Sequence, residues 1–161
     1  LELSTDGTTK IISIDEIVDA EIGQNVTIVG SNCQATDTAV YLLAQGKNVA
    51  IVTPDEGDMV AKGQSHWCKV YTLPMIYARG TRVWTQARLD SIGGGSATVI
   101  TASGTKVTYP CDTVIDARDM LPNKDMINEL GKIEAYAVGD CDDPYNIQYA
   151  IRSGHFKARE I

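Results

Sequence analysis

One 28-residue segment, NVTIVGSNCQATDTAVYLLAQGKNVAIV, restricts the fold of this chain more than any other. It begins with a β-branched apolar run of strand length at 25–29, turns at Gly30, and then changes to the apolar period of a helix. Gly46 is a natural helix end, and a second apolar run follows at 48–52. Both runs lack polar alternation, as expected where both faces of a sheet are covered. This order predicts a right-handed βαβ unit in a parallel sheet.

The rest of the chain predicts shorter elements around this unit. The glycines at 93–95 and Gly104 separate short segments in which apolar and polar residues alternate, which is typical of a β-meander rather than a phosphate loop. We therefore predict an α/β fold, Rossmann-like and three-layered, with a parallel sheet, helices on both of its faces and a β-meander crossover. The other predicted elements are a short strand and helical turn at 11–18, a helix at 68–80 interrupted by Pro74, a helix at 122–130, a last strand at 133–139 and a closing helix at 146–161.

Composition excludes several classes of function. The 161 residues carry a formal net charge of -7, which argues against a nucleic-acid partner but not against a nucleotide held by backbone N–H groups. No apolar run is long enough to cross a membrane, and residues 1–10 do not look like a signal peptide, so we expect a cytoplasmic protein. The four cysteines match no metal or iron–sulfur spacing. We predict no metal site and no catalytic acid or base.

The last 27 residues, AYAVGDCDDPYNIQYAIRSGHFKAREI, are the most specific stretch. They resemble the C-terminal ending of the NADH:flavin oxidoreductases of the 2,4-dienoyl-CoA reductase, 2-enoate reductase and trimethylamine dehydrogenase group, which reads A-x-G-D-C-x-x-P and then A-I-x-x-G-x-x-A. The segment DTVIDARDMLPN is similar to a second motif of that family, D-T-V-V-x-A-x-G-x-x-P-N. The matching positions of the ending are Ala137, Gly139, Asp140, Cys141, Pro144, Ala150, Ile151, Gly154 and, one place late, Ala158.

The resemblance implies a piece of a multidomain flavoprotein. In the family, a barrel with FMN and an iron–sulfur cluster precedes an FAD- or ADP-binding domain, into which a pyridine-nucleotide domain is inserted. We expect residues 1–24 to be an entry segment from the FAD domain, 25–136 to be the NAD(P)-binding domain and 137–161 to close the FAD domain. By resemblance, Asp140 beside Gly139 accepts a hydrogen bond from the ribityl chain of FAD. The isolated chain is expected to be inactive.

The βαβ turn departs from the dinucleotide-binding pattern G-x-G-x-x-G. Gly30 keeps the first glycine, which allows the tight turn, and Ala35 is a mild substitute for the third, which allows close packing of helix on strand. Asn32 fills the second slot, where a side chain would meet the pyrophosphate, although asparagine tolerates left-handed backbone angles. Backbone N–H groups from Gly30 to Ala35, including those of Ser31 and Cys33, are the predicted phosphate donors.

Two further cofactor positions are altered. Thr53 stands where an acid binds the ribose of NAD; Asp55 or Glu56 would substitute only if Pro54 did not aim them elsewhere. Asp119 replaces a family glycine, adding charge where a cofactor packs.

Two functions stay open. One is a domain that binds NAD(H) or NADP(H), with NAD favoured because no arginine is near, and passes hydride to a flavin; the other is a vestigial module that binds ADP weakly or nothing and packs against the other domains. An independent NAD sensor is the weaker third reading.

Overall fold

A computed structural model describes residues 6–161 and divides the chain into two compact units, unit 1 (Leu1–Arg118) and unit 2 (Asp119–Ile161). Residues 1–5, half of the N-terminal stretch considered above, lie outside the described residues. The elements of unit 1 are β1 (Lys10–Ser13), a 3-10 turn (Ile14–Glu16), β2 (Asn25–Val29), α1 (Cys33–Ala44), β3 (Asn48–Val52), a 3-10 turn (Gly57–Met59), α2 (His66–Ala78), β4 (Arg82–Trp84), β5 (Arg88–Gly93), β6 (Ser96–Ile100), β7 (Lys106–Pro110) and β8 (Thr113–Asp116).

Two sheets form unit 1. The parallel sheet has the order β1-β8-β2-β3-β4, and every neighbouring pair runs in the same direction. The meander, β5-β6-β7, is antiparallel. The predicted α/β fold with a parallel sheet and a β-meander is therefore confirmed. The predicted entry segment 1–24 contributes β1, which pairs with β8 at the edge of the parallel sheet.

The two faces of the parallel sheet are covered differently. On one face, Ile28, Ile51 and Ile115 are fully buried against α1 and α2. On the other face, Val52 and Val114 pack against Leu89 and Val99 of the meander. The apolar strands predicted helices on both faces of the sheet. This prediction is wrong, because the meander covers the second face. Since burial of both faces is all that such strands require, a meander serves as well as a helix layer.

A small polar cluster lies buried between the two sheets. The hydroxyl of Thr27 donates to Tyr109 Oη at 3.3 Å and approaches Cys111 Sγ at 3.2 Å. Burial raises the pKa of Tyr109 to about 12, while the Thr27 hydrogen bond and the positive charge of Arg82 act in the opposite direction. Burial likewise raises the pKa of the Cys111 thiol. Both groups therefore stay protonated in the folded chain well into the alkaline range.

This cluster predicts a loss of stability at alkaline pH. The unfolded chain releases the Tyr109 proton near pH 10, whereas the folded chain holds it to about pH 12, so the stabilisation is complete below pH 10 and is lost as pH rises to 12. The loss should be about 2–3 kcal/mol in the free energy of unfolding. Urea unfolding of Tyr109→Phe should show a smaller decline over this range than the unchanged protein. Tyr71→Phe, which alters an exposed tyrosine, should keep the full decline; equal declines in both variants would contradict the assignment.

Helix α2 continues through Pro74, although the sequence predicts an interruption there. Proline removes one helical hydrogen bond, but Ile76 beyond it is fully buried in the core and holds the last turn in place. The outer face of α2 exposes Trp67, Tyr71 and Tyr77.

Unit 2 consists of α3 (Asp125–Glu129), a 3-10 turn (Gly139–Cys141) and α4 (Ile147–Glu160). The side chain of Asn146 begins α4 by accepting a hydrogen bond from Tyr149 N at 2.8 Å. The predicted last strand at 133–139 is not formed. A strand requires a neighbour to satisfy its backbone, and none of the described elements of unit 2 is a strand. Among the helices of residues 6–161, none is both long and apolar enough to span a membrane.

Candidate functional site

The turn between β2 and α1 can be built only with glycine at its first position. Gly30 has φ +132°, and a Cβ there would lie 2.2 Å from the carbonyl oxygen of Ala117. The turn is therefore pressed against the end of β8, with Gly30 N donating to Val52 O at 3.0 Å on the other side. The βαβ turn is thus held between two neighbouring strand ends, at the carboxyl edge of the parallel sheet where open α/β folds bind ligands.

Asn32, in the second glycine slot, caps helix α1. Its Oδ1 accepts a hydrogen bond from Ala35 N at 2.9 Å, and its Nδ2 donates to Ala117 O at 3.1 Å. Its backbone is extended, with φ -67°, so the turn does not use the tolerance of asparagine for left-handed angles. Both polar atoms of the side chain are thus engaged by the protein. A phosphate at this helix start would have to share or replace the bond to Ala35 N.

The other residues of the turn lie where the sequence predicts. Ala35 is fully buried in the core between α1 and the sheet, as the third slot requires. Cys33 is half-buried in the first turn of α1. The structure thus brings together the six residues predicted for the site in unit 1, which are Gly30, Ser31, Asn32, Cys33, Ala35 and Thr53.

An acidic side chain lies beside this turn. Ser31 Oγ donates a hydrogen bond to Asp55 Oδ2, and Thr53 Oγ1 donates to the same oxygen at 3.1 Å. Asp55 N in turn donates to Thr53 Oγ1 at 3.1 Å, which closes a local turn at the end of β3. Pro54 therefore does not aim Asp55 away from the glycine turn. Sequence position alone points to Thr53, whereas the carboxylate at the glycine turn belongs to Asp55.

The loop after β3 folds back over the start of α1. Ala61, fully buried with φ +62°, donates from its backbone N to Ser31 O at 2.7 Å, and the next residue, Lys62, forms an isolated bridge with Asn32. Farther along, Gln64 Nε2 donates to Asp37 Oδ1 at 2.7 Å. The polar sequence of this loop has no periodicity that would reveal these contacts. The loop narrows the surface that a ligand could use at the turn.

A charged pair lies at the end of β8, at the same edge of the sheet. Arg118 donates to Asp116 through Nε at 2.8 Å and through Nη2, and this pairing lowers the pKa of Asp116. No role for Arg118 was predicted from the sequence. Its positive charge within the motif DTVIDARDMLPN is the signal that could have pointed to it. Asp119, which the sequence predicts to crowd a cofactor, is exposed and is the first residue of unit 2.

Comparison with known proteins supports the resemblance of the ending. No protein-family model matches the chain. Cinnamate reductase from Clostridium sporogenes is 24% identical over 99% of this chain, and the match covers 24% of that protein. The chain is therefore similar to the NADH:flavin oxidoreductase and 2-enoate reductase family, as the resemblance of the ending implies. It spans about a quarter of the length of this curated relative.

Two solved structures contain a segment with the same fold as this chain. The 2-naphthoyl-CoA reductase structure, in complex with 2-naphthoyl-CoA, matches 94% of this chain and 23% of its own, with a TM-score of 0.79 and 21% identity. Histamine dehydrogenase from Rhizobium sp. 4-9 matches 99% of this chain and 27% of its own, with a TM-score of 0.74 and 18% identity. The Rossmann-like fold of the chain is thus shared with segments of much longer oxidoreductases.

The family ending occupies the Gly-Asp turn of unit 2. Gly139 has φ +65°, and a Cβ there would lie 3.1 Å from Ala150 Cβ, so glycine lets this turn approach helix α4. Gly139 N donates to Ser153 Oγ at 2.8 Å. Asp140 is exposed in the same turn. The turn is therefore tied to α4 through Gly139, which leaves the carboxylate of Asp140 at the surface of unit 2.

Proposed function

We propose that this chain is the pyridine-nucleotide-binding part of a flavin-dependent oxidoreductase and that it presents NADH to a flavin, to which hydride passes. The observation that carries the proposal is the carboxylate of Asp55, held beside the glycine turn by hydroxyl groups of Ser31 and Thr53. An acid at the end of the second strand of a βαβ unit is the group that accepts hydrogen bonds from the adenosine ribose of NAD.

The charge of Asp55 supports NADH over NADPH. The 2′-phosphate of NADPH would bring negative charge to the position where the ribose hydroxyls meet this carboxylate. Two hydroxyl donors orient Asp55 without neutralising it, since neither Ser31 nor Thr53 carries a charge. The NADP(H) alternative is therefore the less favoured of the two cofactors.

The pyrophosphate would lie at the start of α1. The backbone from Ser31 to Cys33 and the positive end of the helix dipole supply the usual attraction for phosphate groups. Asn32 occupies one donor, Ala35 N, and so weakens rather than abolishes this attraction. When bound, the nicotinamide supplies the hydride chemistry, and the part of this chain is to hold and orient the cofactor.

We propose the flavin contacts by family resemblance. Asp140, exposed beside Gly139, would accept a hydrogen bond from FAD in the whole protein, while FMN and an iron–sulfur cluster would belong to further domains. The assignment of residues 1–24 and 137–161 to the FAD domain is part of the same proposal, as is the assignment of 25–136 to the NAD(P)-binding domain.

Calorimetric titration with NADH, NADPH and ADP tests the role of Asp55. Asp55→Asn should weaken NADH binding at least about tenfold, since a hydrogen bond to a charged group contributes about 1.5–3 kcal/mol. The same variant should reduce the preference for NADH over NADPH, because the repulsive charge is gone. Asp58→Asn, an exposed acid in the same loop, is the matched control and should bind NADH like the unchanged chain. Equal NADH affinity in both variants would refute the assignment of Asp55.

A second function is favoured by the capped helix start. Because Asn32 satisfies Ala35 N, and Ala61 packs onto Ser31, the turn is stable without a ligand. We propose as the alternative a structural module that packs against the other domains of the whole protein and binds ADP weakly or nothing. Failure of all three ligands to bind would favour this alternative.

A further inference from the structure

A pocket lies at the opposite edge of the parallel sheet from the glycine turn. Its volume is about 330 Å³, and residues from the amino ends of β2, β3 and β4 line it. The size falls at the lower end of the range for small-molecule sites. Beside these strands it is lined by the ends of α1 and α2 and by the meander residues Tyr109 and Pro110. All of these residues belong to unit 1.

The lining of this pocket has the opposite charge to the protein as a whole. The chain has 21 acidic and 14 basic residues, yet the lining includes Lys47, Arg79 and Arg82 and no acidic residue. Three positive charges therefore converge on one small cavity of an acidic protein. Such an arrangement concentrates positive potential, which attracts anions.

The charges of Lys47 and Arg79 are positioned but not neutralised. Lys47 Nζ donates to the carbonyl oxygens of Ile22 at 2.8 Å and Gly23 at 3.0 Å. Arg79 Nη1 donates to the carbonyl oxygen of Leu43 at 2.7 Å. Carbonyl groups hold the two side chains in place while leaving each with its full charge. Within residues 6–161, none of the three cations forms an ion pair.

A buried hydroxyl in the same pocket has no partner. Thr81 is 8% exposed and lines the pocket, and its Oγ1 makes no hydrogen bond to any described residue. An unsatisfied buried hydroxyl costs about 1–3 kcal/mol, so one that borders a cavity is expected to meet a ligand. Arg82, the next residue and the first of β4, is exposed, and its guanidinium makes no hydrogen bond within the described part of the chain.

We propose that this pocket binds a small phosphate-bearing molecule, with Arg82 as the main charged contact and Thr81 as a hydroxyl donor. Arginine suits phosphate because its planar fork of N–H groups matches two phosphate oxygens. Lys47 and Arg79 add positive potential from fixed positions on the wall. The site is distinct from the proposed NADH site, which lies at the carboxyl ends of the strands.

Calorimetric titration of the whole chain with inorganic phosphate, at constant ionic strength, tests the proposal. The unchanged chain should bind phosphate saturably, and Arg82→Gln should weaken binding at least about tenfold because a charge-assisted bond is lost. Arg88→Gln, an exposed arginine on β5 outside the pocket, should leave the affinity unchanged. Asp55→Asn, at the other edge of the parallel sheet, should not reduce the affinity for phosphate. Citrate in place of phosphate distinguishes a phosphate site from a general anion site, and equal binding of citrate would overturn the phosphate assignment.

Thr81→Val separates a ligand role from a structural one. Valine keeps the shape and removes the orphaned hydroxyl, so the urea midpoint without phosphate should stay equal or rise. The same variant should bind phosphate several-fold more weakly, because the hydroxyl no longer donates. Unsaturable binding, or equal affinities in Arg82→Gln, Thr81→Val and Arg88→Gln, would overturn the proposal, as would no binding at all.

Discussion

Gly30→Ala should destabilise the folded chain by about 4 kcal/mol, with comparable parts from backbone strain and overpacking. The new Cβ would lie 2.2 Å from the carbonyl oxygen and 2.6 Å from the carbonyl carbon of Ala117. The backbone of Gly30 also has φ +132°, an angle that residues with a Cβ rarely adopt. Both atoms belong to the backbone of Ala117 rather than to a flexible side chain, so the turn or the end of β8 must move. Urea unfolding followed by tryptophan fluorescence measures the loss, since Trp67 and Trp84 both lie in unit 1.

The matched control is Gly46→Ala at the end of α1. Gly46 also has positive φ, +79°, but a Cβ there meets no atom within 4 Å. Gly46→Ala should therefore lower the free energy of unfolding only by the backbone strain, about 1 kcal/mol. If both substitutions cost the same, the close approach of the turn to Ala117 does not restrict position 30, and the glycine is explained by backbone angle alone.

Ile28→Ala should destabilise unit 1 by about 2–5 kcal/mol, because it opens a cavity in a region that cannot collapse. Ile28 is fully buried in the central strand β2, with Ile51 and Ile115 beside it on the neighbouring strands. These strands are hydrogen-bonded on both sides, so the backbone has little freedom to close the gap. The free energy of unfolding in urea is the measurement.

Val18→Ala is the control for this loss. Val18 is 83% exposed, so truncation of its side chain should change the free energy of unfolding by less than about 0.5 kcal/mol. A small effect of Ile28→Ala, close to that of Val18→Ala, would mean that the contact between the parallel sheet and α1 is loosely packed. The position of the glycine turn, which this contact sets, would then be poorly defined as well.

Local patterns predicted the elements of unit 1 that matter most for the candidate site. The apolar runs at 25–29 and 48–52 became β2 and β3, and Gly46 ended the helix between them. These predictions depend on periodicity and on glycine angles, which are properties of a few neighbouring residues. The strand predicted at 133–139 is wrong because strand formation depends on a partner, which a local pattern does not reveal.

The chemistry at the two edges of the sheet depends on residues that are distant in sequence. Asp55 reaches the glycine turn because Ser31, 24 positions earlier, donates to it across the ends of two paired strands. The basic pocket forms because Lys47 and Arg82 come from neighbouring parallel strands and their connections. The sequence was sufficient to predict the strands, turn and helix of the βαβ unit, since these follow from local pattern. Which side chains meet was set by strand register and by loop packing, because parallel pairing aligns the ends of segments that the chain itself keeps far apart.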